Sequence, residues 1–290
     1  METIHTIAWM QQVGRDARVK ERILGLVPTM GALHEGHLSL VREAQRRFSP
    51  VTVSIFVNPK QFGPSEDFQK YPRTLEADTA ALENLGVEYL FAPSPAEMYP
   101  KDFRTSVIVD GLSERLEGRS RPGHFRGVTT VVLKLFEIVQ PRFAFFGRKD
   151  AQQVRIIRQM AGDLNLETEV VVCPIVREPD GLALSSRNAY LQNGERRSAT
   201  ALYRSLEAAR REIDSGERDP VRILAALRQV IDAERGVALD YAELVDAETF
   251  EPALTLRRAS YLLIAARVGG TRLIDNALIE PDGENLRVSI

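Results

Sequence analysis

Cysteine is almost absent from this 290-residue chain. Cys173 stands alone, so no disulfide can close within the chain and no site can be built on several thiols. Histidine is scarce as well, with only His5, His34, His37 and His124, which limits any imidazole-based metal site. Long apolar runs are missing: residues 128–139 and 261–266, the most hydrophobic stretches, are too short or too interrupted to span a bilayer. Residues 1–10, with Glu2, His5 and Trp9, do not read as a signal peptide. Excess positive charge is missing too. The formal net charge is −2, unlike the strongly basic footprint of a dedicated nucleic-acid binder. Two familiar nucleotide signatures, the G-x-x-x-x-G-K-[ST] phosphate loop and the G-x-G-x-x-G dinucleotide turn, do not occur. These absences point to a cytoplasmic protein with neither a membrane nor a nucleic acid as partner, and they leave room for a local basic pocket.

Hydrophobic residues make up 44% of the chain, enough for a sizeable core. The length suits one large or two medium domains. Short apolar runs at residues 23–27, 51–57, 87–91, 143–146 and 170–172 read as buried parallel strands, and helix-period segments at 37–48, 74–85, 129–139 and 150–164 lie between them. This alternation predicts an α/β domain with a parallel sheet and right-handed crossovers, binding its ligands beyond the carboxyl ends of the strands. After about residue 176 the texture changes. Two amphipathic helices, at 194–215 and 220–234, precede strand-like runs at 241–245, 261–266 and 272–277. Asp219 is a plausible N-cap, with Pro220 in the first turn. The expected division is residues 1–177 and a smaller α+β domain at 178–290, with the turn Glu178-Pro179-Asp180-Gly181 as a candidate hinge.

Four segments carry chemistry. Residues 28–37 read Pro-Thr-Met-Gly-Ala-Leu-His-Glu-Gly-His between a strand and a helix. Glycine lets a backbone approach a ligand closely, a helix N-terminus suits phosphate, and two imidazoles add donors where charge grows as pyrophosphate leaves. A solvent-exposed turn and a His-x-x-His metal site are the competing readings. Residues 56–63 place Asn58 and Gln61 after a strand, two amides that suit the hydroxyl and carboxylate of a small substrate, although a plain Asn-Pro turn explains them too. Gly147-Arg148-Lys149-Asp150 again follows a strand. Lys149 is a point charge suited to phosphate, Asp150 caps a helix or holds a ribose or metal, and Gln153 lies one helical turn on. Leu184-Ser185-Ser186-Arg187-Asn188 is a mobile phosphate clamp or a polar linker. Arg115, Arg119, Arg121 and Arg126 read best as a solvated face. Asp67, Glu76 and Asp78 are either a source of one magnesium ligand or helix N-terminal acids.

Taken together, these residues resemble the pantothenate synthetases, the pantoate–β-alanine ligases. The likeness spans residues 28–37, 54–63, 71–78, 121–130, 146–153, 177–191, 240–245 and 271–276. Several motifs in order are far more specific than His-x-Gly-His alone, which other nucleotidyl-transferring enzymes share, class I aminoacyl-tRNA synthetases among them. The resemblance implies a Rossmann-like N-terminal domain, a smaller C-terminal lid and a homodimer. It implies that ATP, pantoate and β-alanine give pantothenate, AMP and pyrophosphate, with magnesium as cofactor. By matched position, Met30, Gly31, Ala32, Leu33, His34, Glu35, Gly36 and His37 would bind ATP, with His37 the catalytic acid and His34 assisting. Gly147, Arg148, Lys149, Asp150, Val176, Leu184, Ser185, Ser186 and Arg187 would contact ATP as well, Lys149 sharing the charge of the leaving group. Gln61 and Gln153 would bind pantoate, Gln61 also lying near β-alanine, and Asp78 would lie near magnesium. The competing functional classes are a nucleotidyltransferase acting on a phosphorylated co-substrate and a non-catalytic nucleotide-binding module.

Overall fold

Strict alternation of apolar side chains decides how the first part of the chain packs. Along one strand Leu26 turns to one core and Val27 to the other; along another, Ala144 and Phe146 oppose Phe145. A strand buried on both faces needs helices on both faces, and the computed structural model has that arrangement. It describes residues 1–64, 66–283 and 285–290, apart from the side chain of Asn193. The chain falls into two compact units, Met1–Arg148 with Gln152–Pro174, and Lys149–Ala151 with Ile175–Ile290.

In chain order the first unit runs β1 (Glu2–Ile4), α1 (Ile7–Val19), β2 (Gly25–Thr29), α2 (Glu35–Arg47), β3 (Val51–Ile55), a 3-10 turn at Pro59–Gln61 and α3 (Leu75–Asn84). It continues through β4 (Tyr89–Phe91), α4 (Pro95–Met98), α5 (Glu117–Ser120), α6 (His124–Val139), β5 (Phe143–Gly147), α7 (Ala151–Asp163) and β6 (Glu169–Cys173). The six strands form one sheet in the order β1-β4-β3-β2-β5-β6, with every pairing parallel. Helices α1, α6 and α7 contribute to the core on one face, while α2 and α3 contribute Leu40, Val41, Ala44 and Leu82 to the other. The chain winds outward from β2 to β3 and β4, then returns to β5 on the opposite side of β2. Strand order therefore reverses between β2 and β5, and such a switch point opens a crevice at the carboxyl ends.

The second unit holds α8 (Asn193–Ala199), α9 (Ala201–Asp214) and α10 (Pro220–Asp232). They are followed by β7 (Val237–Asp246), β8 (Ser260–Val268), β9 (Thr271–Asp282) and β10 (Asn285–Ser289), an antiparallel meander in the order β10-β9-β8-β7. The single helix expected over 194–215 is broken at Thr200, the C-cap of α8 and N-cap of α9. The turn at 178–181 forms, and it lies inside this unit as a braced hairpin. Gly181 N donates to Glu178 O at 2.8 Å, and Arg177 bonds Gly181 O and both carboxylate oxygens of the buried Asp275. The sequence reading omits β1, α1, α4, α5 and β10, which are short or mixed in character, and starts α6 five residues late.

Burial of His124 at the start of α6 makes the fold sensitive to acid. Loss of water around the ring, then the nearby Arg121 charge, lowers its pKa from 6.5 to about 4. The unfolded chain thus binds more protons between those values. Stability is fully present above pH 6.5 and declines as pH falls toward 4, by about 3 kcal/mol from this group. Urea unfolding across that window should show the decline in the natural protein and a shallower one in His124→Gln; parallel curves would contradict the assignment.

Candidate active site

The site is built outward from the turn between β2 and α2. Two successive residues there are left-handed, Gly31 (φ +80°) and Ala32 (φ +51°). Glycine suits the first, where an added Cβ would sit 3.0 Å from an Asp78 oxygen. Alanine in the second costs roughly 1 kcal/mol and needs compensation. It comes from Asp78, which is buried in the first turn of α3. Its carboxylate accepts from Ala32 N at 2.9 Å, Leu33 N at 2.8 Å and the Thr74 hydroxyl at 3.2 Å. Thr29 adds a further clamp, accepting from Gly31 N at 3.1 Å and donating to Ser54 O at 2.8 Å. The amides of Ala32 and Leu33, expected to meet phosphate, are therefore committed to an internal anion.

His34 is the N-cap of α2. Its Nδ1 accepts from Gly36 N at 3.2 Å, while His37 Nδ1 accepts from His34 N at 3.4 Å, a reciprocal capping box made of two imidazoles. The ring centroids are 4.1 Å apart. A ring nitrogen that accepts from an amide carries no proton, so each neutral ring holds its proton on Nε2. The helix start thus sets the tautomer of both rings. Glu35, expected among the nucleotide contacts, pairs with Arg42 one face along the same helix.

After β3, Gln61 closes a single 3-10 turn, and its Nε2 donates to Met30 Sδ at 3.1 Å. Asn58, expected to touch substrate, is 1% exposed and acts within the protein. Its Nδ2 donates to Gln61 Oε1 and to Gly127 O, both at 3.0 Å, and its Oδ1 accepts from Tyr99 Oη at 2.9 Å. These bonds fix which end of the Gln61 amide is the donor and turn it toward Met30. Nothing in the sequence pattern marks Tyr99 as part of this cluster.

Gly147 ends β5, beside β2 in the sheet, Arg148 opens the 3-10 turn that follows, and Gln153 is half-buried in the first turn of α7. Its neighbour Gln152 is structural: it accepts from Glu117 N and donates to the carbonyls of Leu112 and Arg115. Asp150 is exposed. In the second unit, Val176 and Leu184 are joined by a backbone bond of 3.0 Å, and Ser185 caps the turn Ser186–Tyr190 by accepting from Arg187 N. Lys149 belongs to that unit, where its carbonyl accepts from Asn276 Nδ2 at 2.9 Å. Of the arginines expected on a solvated face, Arg121 departs: it is largely buried and pairs with Glu66 at 2.7 Å.

Comparison with known proteins decides the family. The Pantoate-beta-alanine ligase family model matches residues 2–278. The chain belongs to the pantoate-beta-alanine ligase family. It is 53% identical over 279 residues to a pantothenate synthetase of Thermotoga neapolitana, covering 96% of this chain and all of that one. It is 52% identical over 283 residues to one of Koribacter versatilis, covering 98% and 97%. The crystal structure of pantothenate synthetase from Thermus thermophilus superposes with a TM-score of 0.91 at 46% identity, covering 95% and 98%. A pantoate-beta-alanine ligase from Francisella tularensis, described as complexed with beta-gamma ATP and beta-alanine, gives a TM-score of 0.78 at 36% identity, covering 95% and 97%.

The sequence resemblance predicts magnesium near Asp78. The carboxylate does not fit a magnesium ligand in this geometry: it is 3% exposed, and three protein donors already converge on it. Among the described residues, no group of three or more His, Cys, Asp or Glu side chains could hold a metal ion. Asp78 is instead placed to hold the turn. Asp78→Asn would set an amide N–H against a backbone N–H, so AMP binding with magnesium chelated should weaken about tenfold. Calorimetry in EDTA reads this directly. Unchanged AMP affinity with an altered magnesium requirement would instead make Asp78 a metal ligand.

Proposed function

We propose that this chain is an AMP-forming, ATP-dependent ligase that condenses pantoate with β-alanine through a pantoyl-adenylate, releasing pyrophosphate. The observation that carries the reading is the paired imidazole cap of α2. Both rings bind backbone N–H through Nδ1 and so present Nε2–H as a donor, at the carboxyl end of β2 beside the switch point.

The chemistry follows from substrate and site together. The pantoate carboxylate is itself the nucleophile, so no activated serine or cysteine is needed. Its oxygen attacks the α-phosphorus in line, and the bond from that phosphorus to the pyrophosphate oxygen breaks. Catalysis is then positioning and charge stabilisation. His37 Nε2–H donates to the departing diphosphate, with His34 beside it, and Lys149 shares that charge. In the second step the β-alanine nitrogen attacks the acyl carbon, AMP leaves with the bonding electrons, and the amine gives up its proton.

Met30, Gly31, Ala32 and Leu33 belong to nucleotide binding through the shape of their turn, with Glu35 and Gly36 behind the imidazoles. Gly147, Arg148, Lys149, Asp150, Val176, Leu184, Ser185, Ser186 and Arg187 are assigned to ATP as well. Gln61, its amide held by Asn58, and Gln153 are assigned to pantoate. Magnesium belongs to the substrate MgATP, where it offsets phosphate charge. A cytoplasmic homodimer completes the reading; the lone buried thiol of Cys173, pushed up to about 11 mainly by burial, suits a reducing compartment.

Pyrophosphate release from ATP tests the reaction order. Release that requires pantoate, with amide formed only after β-alanine is added, is expected. Release requiring a phosphorylated co-substrate would indicate a nucleotidyltransferase, and nucleotide binding without turnover a non-catalytic module. His37→Ala should slow single-turnover adenylate formation by about 10²–10³ while the circular dichroism spectrum stays unchanged. A rate equal to that of the natural protein would remove His37 from the mechanism.

A further inference from the structure

A single 3-10 turn has little internal strength. The two backbone bonds closing Pro59–Gln61, Gln61 N to Asn58 O and Phe62 N to Pro59 O, are both long at 3.4 Å. Something outside the turn must hold the Gln61 peptide, and the first turns of α6 do so. Gly127 lies so close that an added Cβ would be 2.2 Å from Lys60 O and 2.6 Å from Gln61 Cα. His124 Nδ1 is 2.8 Å from Gln61 O.

The chemistry of its partners settles how His124 is protonated. A carbonyl oxygen only accepts, so Nδ1 carries the hydrogen toward Gln61 O. A guanidinium only donates, so Nε2, 3.0 Å from Arg121 Nη1, carries none. Arg121 is held in turn by Glu66, through Nε at 3.0 Å and Nη2 at 2.7 Å. The chain Glu66–Arg121–His124 therefore selects one neutral tautomer, opposite to that of His34 and His37, and directs its single N–H at one carbonyl.

We propose that His124 is a positioning residue for the pantoate subsite, acting through the Gln61 carbonyl, with Arg121 and Glu66 selecting its tautomer. The inference rests on the assignment of Gln61 to pantoate. His124 fixes the main chain of Gln61 from α6, while Asn58, the N-cap of the turn, fixes its side-chain amide. Loss of the His124 donor would let the peptide rotate and carry the side chain with it, without disturbing the nucleotide turn, which Asp78 and Thr29 hold by separate bonds.

Two variants separate the two ring nitrogens. In His124→Asn an amide N–H takes the place of Nδ1–H toward Gln61 O. In His124→Gln the longer side chain reaches the Nε2 position, serves Arg121 and leaves Gln61 O with only the long 3.5 Å bond from Arg121 Nη2. Steady-state kinetics should show the pantoate KM raised about tenfold in His124→Gln, the ATP KM within about twofold, and His124→Asn close to the natural protein. An unchanged pantoate KM in His124→Gln, or equal rises in the pantoate and ATP KM in both variants, would overturn the proposal. Gln61→Ala is the control. If it leaves the pantoate KM unchanged, the Gln61 assignment itself has failed; if it raises that KM and His124→Gln does not, only the His124 inference has. Should His124→Gln not fold, two-bond proton–nitrogen correlation on the 15N-histidine-labelled natural protein decides at pH 7. An Nδ1–H signature for His124 supports the proposal, and an Nε2–H or imidazolium signature overturns it.

Discussion

A carboxylate seated in an amide-lined turn is the interaction on which the site in the first unit depends. Asp78 reaches the β2–α2 turn from α3, across more than forty residues of sequence, and takes the N–H groups of Ala32 and Leu33. The turn contains a left-handed alanine beside a left-handed glycine, a conformation that its own sequence does not favour. Two charge-assisted bonds of about 1.5–3 kcal/mol each more than offset that cost. Once the turn is set, His34 arrives at the N-cap in extended conformation and the reciprocal imidazole cap can form. Remove the anion, and the geometry of both rings loses its foundation.

The rings and the amide at this site share one principle. His34 and His37 are held through Nδ1; Gln61 is held through its backbone and side-chain carbonyl oxygens, with its amide nitrogen on Met30 Sδ. Each polar group thus has one end fixed by the protein, the arrangement that lowers the reorganisation needed during reaction.

Much of the fold can be read in the sequence because its signals are local. The runs at 51–57 and 143–146 and the helical periods at 37–48 and 220–234 each become an element within a few residues of the expected bounds. The motif positions were legible as well, since glycine, histidine and amide residues cluster after strands. The partners of those positions were not. Asp78 reads as an ordinary helix N-terminal acid, Asn58 reads as a ligand contact, and Arg121 reads as surface charge. Their roles come from contacts made across 46, 69 and 55 positions of sequence, which no periodicity encodes. Thr200 shows the same limit at smaller scale: the composition of 194–215 is uniformly helical, and the break between α8 and α9 leaves no mark in it.

The pair Arg177 and Asp275 joins a hairpin near the start of the second unit to β9 near the chain's end, 98 positions later. Loop closure over such a span is slow compared with helix formation. On a ribosome, the arginine emerges long before its acid is made. The hairpin that leads into residues 184–187 therefore gains its brace only once β9 has been made, and a chain truncated before Asp275 would carry it without that anchor.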